Sequence, residues 1–178
     1  MTYLWEKCVD RNSASIVRQT AIGYLSSFLA RAKFLPVSIL KSYLKQLCHW
    51  AHNYLKSCDY IINRNPKAHA VFYATCQAIF YIIAFRSQDL TSDINLRFLQ
   101  SLELSAIVKS TLNPLNVCLP AIATIFDSVT HKYQIVYCHT ILVKNASRKL
   151  TTVFSNDHSR PEECLESVFP FDPYLLKK

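Results

Sequence analysis

Cys48, His49 and His52, set within about one helical turn of each other, are the closest this sequence comes to a chemical site. A cysteine or histidine pair three or four positions apart on a helix can share a metal ion, but a structural zinc needs about four ligands, and no second pair with matching spacing follows. Cys76 lies inside an uncharged run, where an apolar sheath keeps a thiol protonated and inert. His131 and His139 have no carboxylate beside them in sequence to fix a tautomer. No pattern sets a nucleophile next to a base, so the expectation is no catalytic residue, no metal site, no cofactor and no small-molecule substrate. The only glycine is Gly23, which rules out Gly-rich phosphate loops and dinucleotide fingerprints and makes turns with positive φ scarce.

What remains is charge. The formal net charge is +8 over 178 residues. From Arg11 to Gln88 ten lysines and arginines face a single acidic residue, Asp59, which puts +9 in this half and leaves −1 for the rest. An acidic partner belongs on the basic half, and nucleic acid, an anionic membrane face and an acidic protein surface all satisfy that requirement. Lys41, Lys45, His49, His52 and Lys56 recur at helical steps on one face, which could follow a phosphate backbone or could simply solvate a helix. The aromatic residues fall in apolar seams instead of alternating with these cations, so acidic protein is favoured over bare DNA.

The elements that would carry these groups are helices. With 51% hydrophobic residues and little turn chemistry, the fold class is all-α. The organising stretch is Lys67 to Arg86: from Ala68 to Phe85 it has no charge, and apolar side chains point all round the axis, so it must be surrounded. Lipid could surround it, but His69, Thr75 and Gln77 favour protein neighbours and no membrane. Before it, Tyr3 to Val9 reads as the last turns of a helix, Asn12 or Ser13 as a cap, and Ala14 to Lys33 as a helix with Ile16, Val17, Ala21, Tyr24, Leu25, Phe28, Leu29 and Ala32 on its apolar face. Pro36 opens a helix over about 37–62 with a seam of Leu40, Leu44, Leu47, Ala51, Tyr54, Cys58 and Ile61.

After a polar loop from Ser87 to Asp93, short helices follow around Ile94 to Leu102, Ala106 to Leu112 and Leu115 to His131. Gln134 to Val143 has strand propensity but is assigned to a last helix by its context. The expected organisation is a helical repeat segment over 1–144, a mobile polar segment over 145–167 and a proline-fixed extended strap over 168–178. Spans 14–62 and 67–112 are candidate successive helix-pair units. Seven scattered cysteines without a Cys-x-x-Cys pair, and a beginning at Met1 unlike a signal sequence, fit a reducing compartment.

Four blocks occur in order: Ser27-Phe28-Leu29-Ala30-Arg31-Ala32-Lys33-Phe34; Phe72 to Tyr81 with Phe85-Arg86; Leu112-Asn113-Pro114-Leu115; and Phe169-Pro170-Phe171-Asp172-Pro173. Together they resemble the middle portion of the RNA polymerase I-specific transcription initiation factor family. The resemblance spans essentially the whole chain. It implies a HEAT-like helical repeat (an α-α superhelix) without enzymatic activity, acting in the nucleus and nucleolus. Such factors bridge RNA polymerase I, near its stalk, to the promoter-bound selectivity (core) factor at ribosomal DNA.

The same resemblance marks Leu29, Ala30, Arg31, Ala32 and Lys33 as partner-binding, and links the Asp10 to Arg18 neighbourhood to DNA. Arg11 and Arg18 from that neighbourhood, with Lys41, Lys45 and Lys56 from the basic helix face, are the candidate contacts to promoter DNA or an acidic partner. The bland alternative makes Leu29 and Ala32 core and leaves Arg31 and Lys33 to finish a helix. Compared with the family, the chain is short: the serine-rich polymerase-facing helices and the phosphorylated carboxy-terminal region have no counterpart, and it opens inside an expected helix. That points to a fragment, a truncated isoform or a shortened paralogue. A basic DNA-contacting helical module and a non-functional truncated paralogue are the competing readings.

Overall fold

A computed structural model describes residues 1–58 and 66–154. The described chain is helical throughout and contains no strand: α1 (Thr2–Val9), α2 (Ser15–Arg31), α3 (Val37–Cys58), a 3-10 turn (Pro66–His69) running into α4 (Ala70–Phe85), α5 (Ser87–Leu90), α6 (Asp93–Gln100), α7 (Leu104–Val108), α8 (Pro114–Val117), α9 (Pro120–Lys132) and α10 (His139–Phe154).

Helix α4 is the axis of the assembly, as its uniform apolarity requires. Along it only Ala74 and Phe85 are less than fully buried, and α2, α3, α8 and α9 pack around it. Burying side chains such as Phe72, Phe80, Ile82 and Ile83 stabilises the fold by roughly 1.5–3 kcal/mol each. Lys67–Phe85 is long and apolar enough to cross a membrane, yet most of it is buried by protein. Its polar residues have protein partners. His69 Nδ1 meets the Tyr54 hydroxyl at 2.8 Å, Thr75 Oγ1 donates to the Val71 carbonyl at 2.8 Å, and Gln77 Oε1 accepts the Leu119 N–H at 2.8 Å. The last bond also satisfies a backbone donor next to the start of α9, where Pro120 opens the helix.

Several local expectations change. No side chain caps α2, whose N-cap is Ala14; the Ser13 hydroxyl and the Asn12 N–H both turn back to the Asp10 carboxylate, at 2.7 and 2.9 Å, and hold its pKa below the ordinary value. The buried side of α2 is also broader and rotated: Ile22, Ser26, Ser27 and Ala30 are inside, while Ile16, Val17 and Tyr24 are exposed. The reason is that α2 has two neighbours, α1 and α4, so one narrow stripe does not suffice. Helices α2 and α3 meet chiefly through α4 and not as a self-contained pair. In α3 the seam from Leu40 to Ala51 is buried, Tyr54 and Cys58 are half-buried, and Ile61 lies outside the described residues, as do residues 59–65 of the expected loop.

The polar run after Arg86 contains α5, and the turns beyond it are tighter than a nearly glycine-free sequence suggests. Glu103, Asn113 and Gln134 adopt φ of 50, 45 and 55°, taking the left-handed positions that glycine would ordinarily fill. Gln134 to Cys138 is a turn and extended segment, and the expected last helix begins only at His139. It then runs past 144 to Phe154, so the boundary expected there falls inside α10. Asn145, polar by type, is buried because its amide pairs with that of Asn113, the Asn113 Nδ2 lying 2.8 Å from Asn145 Oδ1. The rest of the expected polar segment and the strap at 168–178 lie outside the described residues.

Candidate docking surface

The segment from Leu29 to Lys33 closes α2, and the fold divides it by side-chain type. Leu29, Ala30 and Ala32 are buried against the core, whereas Arg31 and Lys33 are exposed. At Ala32 the backbone leaves the helix with φ −75° and ψ 78°, and the Lys33 N–H bonds to the Arg31 carbonyl at 2.9 Å, which is an inverse γ-turn. Carbonyls at a helix end need donors from elsewhere. Here Arg86, one residue past α4, supplies them: its Nη1 donates to the Leu29 carbonyl at 3.1 Å and the Ala32 carbonyl at 3.2 Å, and its Nε is paired with the Asp89 carboxylate.

Arg86 is only 4% exposed, and its buried guanidinium is paired with one carboxylate and two carbonyls. Its neighbour Phe85 offers its ring to the Arg31 guanidinium, 5.0 Å from the centroid. The end of α2 is thus fastened to the end of α4 by Phe85, its last residue, and Arg86, its C-cap. Arg31 and Lys33 project from that joint, near the negative end of the α2 dipole where cations are favourable. Next in sequence stands Phe34, which is 79% exposed with its ring edge-on to Phe28 at 6.2 Å.

The other candidate cations do not form one face. Arg18 turns inward: its Nε donates to the Cys8 carbonyl at 2.9 Å and its guanidinium lies 5.8 Å from the Trp50 ring, so it ties α1 to α2 and α3. Lys41 is half-buried with its ammonium 5.3 Å from the Phe98 ring. His52 donates from Nε2 to the Leu102 carbonyl at 2.9 Å, joining α3 to the α6–α7 turn. Arg11, Lys45, His49 and Lys56 remain exposed. Of the face expected on α3, the structure therefore keeps Lys45, His49 and Lys56 outside and commits Lys41 and His52 to packing.

The Cys48, His49 and His52 trio does not converge. Cys48 is buried, which pushes its thiol up to about 12, while His49 Nε2 faces the Asn53 amide at 2.9 Å and His52 is engaged as above. Among the described residues no cluster of His, Cys, Asp or Glu has the shape of a metal site. Burial raises the Cys76 thiol as well. His139, which has no carboxylate beside it in sequence, has its Nδ1 3.7 Å from Asp127 Oδ2 in the fold, across the turn at 134–138. Arg86 and Phe34 had no assigned role in the sequence. Arg86 could have been suspected as a cation ending a wholly apolar helix, whereas the exposure of Phe34 has no local signature.

Successive helices packed about one buried central helix make a helical-repeat scaffold of the HEAT-like kind. The sequence profile of the family "RNA polymerase I specific transcription initiation factor RRN3" matches residues 1–178, and the chain belongs to that family. It is 40% identical over 191 residues to the mouse RNA polymerase I-specific transcription initiation factor RRN3, covering 100% of this chain and 28% of the relative. It is 31% identical to the rrn3 factor of Schizosaccharomyces pombe, covering 98% of this chain and 30% of the relative. The crystal structure of RNA polymerase I transcription initiation factor Rrn3 superimposes with a TM-score of 0.81 at 26% identity, over 98% of this chain and 37% of that one. The chain thus spans less than a third of the length of these two curated relatives.

Proposed function

We propose that this chain is a non-enzymatic docking portion of an RNA polymerase I initiation factor, working in the nucleolus, with Leu29 to Lys33 as its contact to the promoter-bound selectivity factor. In this reading other helix faces meet RNA polymerase I near its stalk, and the two contacts together bridge polymerase to ribosomal DNA promoters. The observation that carries the reading is the joint at Arg86. A buried guanidinium holds the carbonyls of Leu29 and Ala32, so the exposed Arg31 and Lys33 are presented from a fixed backbone. A rigid site loses less freedom on binding, and paired cations steer an acidic partner.

A subsidiary contact to promoter DNA is supported by exposed Arg11, Lys45 and Lys56, but two of the five candidate cations, Arg18 and Lys41, are occupied within the fold. Side-by-side titration of the full chain against purified selectivity factor and against ribosomal promoter duplex, at physiological salt, separates the two. The docking reading expects the protein partner to bind tighter, and the DNA signal to fall steeply as salt rises. Nanomolar affinity for the duplex, with no retention of selectivity factor, would reverse the order.

A further inference from the structure

We infer that Phe34 is the apolar anchor of a docking point made with Arg31 and Lys33, and that its ligand is an acidic protein segment carrying one aromatic or large aliphatic side chain. This rests on the reading of Leu29 to Lys33 as the partner-binding segment and adds to it a residue and a ligand chemistry. A single exposed apolar side chain is ordinary on a protein surface. The setting distinguishes this one.

Phe34 is 79% exposed directly after two exposed cations, on the turn whose carbonyls Arg86 fixes from below. Its ring is oriented by an edge-on contact with Phe28, 6.2 Å between centroids at 75°. An aromatic side chain on a preorganised backbone, rimmed by charge, has the composition of an interface hot spot. Charge names the partner. Arg31 and Lys33 are both exposed cations, so charge complementarity favours a partner that carries carboxylates. Single-stranded nucleic acid is disfavoured because base stacking uses successive exposed aromatic platforms, and of the rings at this joint Phe28 and Phe85 are half-buried, which leaves Phe34 as the exposed one.

Two labelled peptides decide it, one with a Phe centred among Asp and Glu and one with Ala in its place, titrated into the 15N-labelled full chain while the amides of residues 31–35 are followed. The Phe peptide is expected to bind at least about fivefold tighter than the Ala peptide, and the discrimination to vanish in Phe34→Ser while Phe34→Leu keeps most of it. Circular dichroism of Phe34→Ser should match the parent because the side chain is exposed. Equal binding of the two peptides, no binding of either, discrimination that survives in Phe34→Ser, or displacement of the Phe peptide by a DNA duplex of equal charge overturns the proposal. Charge reversal of Arg31 and Lys33, which leaves Phe34 in place, tests the underlying docking reading separately against the selectivity factor.

Discussion

Arg86 donates to the backbone carbonyl of Leu29 from 57 positions away in sequence, with its guanidinium buried and 3.1 Å from the acceptor. The same nitrogen reaches Ala32, so the end of α2 depends on a side chain that follows α4. Replacing Arg86 by Met removes the donors without changing much volume. It leaves the Leu29 carbonyl without its donor and the Ala32 carbonyl with only the Leu35 N–H at 3.0 Å, while Asp89, 43% exposed, recovers water easily. We predict a loss of about 2–4 kcal/mol in urea unfolding for Arg86→Met, against at most about 1 kcal/mol for Asp89→Asn. Equal, small effects from both would show that the buried bonds to Leu29 and Ala32 contribute little.

Glu103 occupies a left-handed backbone position, φ 50°, at the entry to α7, and its side chain is exposed. A residue with a Cβ is strained there by roughly 1–2 kcal/mol, part of which glycine relieves at the cost of a freer unfolded chain. Glu103→Gly should therefore raise stability by about 0.5–1 kcal/mol, read as a higher denaturant midpoint at unchanged slope. A lower midpoint would show that the glutamate side chain stabilises the turn by more than its backbone strain costs.

Much of this architecture is legible in the sequence because its strongest signal is unambiguous. A charge-free run from Ala68 to Phe85 must be surrounded, its His69, Thr75 and Gln77 point to protein neighbours, and the step pattern of Leu40, Leu44, Leu47 and Ala51 gives the face of α3 directly. What fails is whatever depends on a second neighbour. Ile16, Val17 and Tyr24 follow a helical period yet face outward, because α2 is shared between α1 and α4 and its buried arc includes Ser26 and Ser27.

The candidate site divides the same way. Types and order single out Leu29 to Lys33, but nothing local shows that Arg18 and Lys41 are spent on Cys8 and on the Phe98 ring. Distant pairings such as Arg86 with Leu29, or Asn113 with Asn145, are three-dimensional facts without a periodic trace.

Cysteine chemistry gives a prediction with a sign. Desolvation raises the thiols of Cys8 and Cys48 from 9.0 to about 12 and that of Cys138 to about 11. The protonated form is favoured in the folded state, so their contribution is intact below pH 9 and is lost as pH climbs from 9 toward 12. In a Cys164→Ser background at pH 8, a thiol reagent should therefore label half-buried Cys58 well before these buried cysteines, as resolved by peptide mapping. Rapid labelling of Cys48 in the folded chain would contradict its place in the core.

The claim on which the functional account turns is that two cations held at the end of α2 are there to be bound. Its most direct measurement is the equilibrium affinity of the double variant Arg31→Glu, Lys33→Glu for purified selectivity factor, beside the parent chain, with helicity followed by circular dichroism. The prediction is a loss of about tenfold or more with the helical spectrum unchanged. An unchanged affinity with an unchanged spectrum would contradict it.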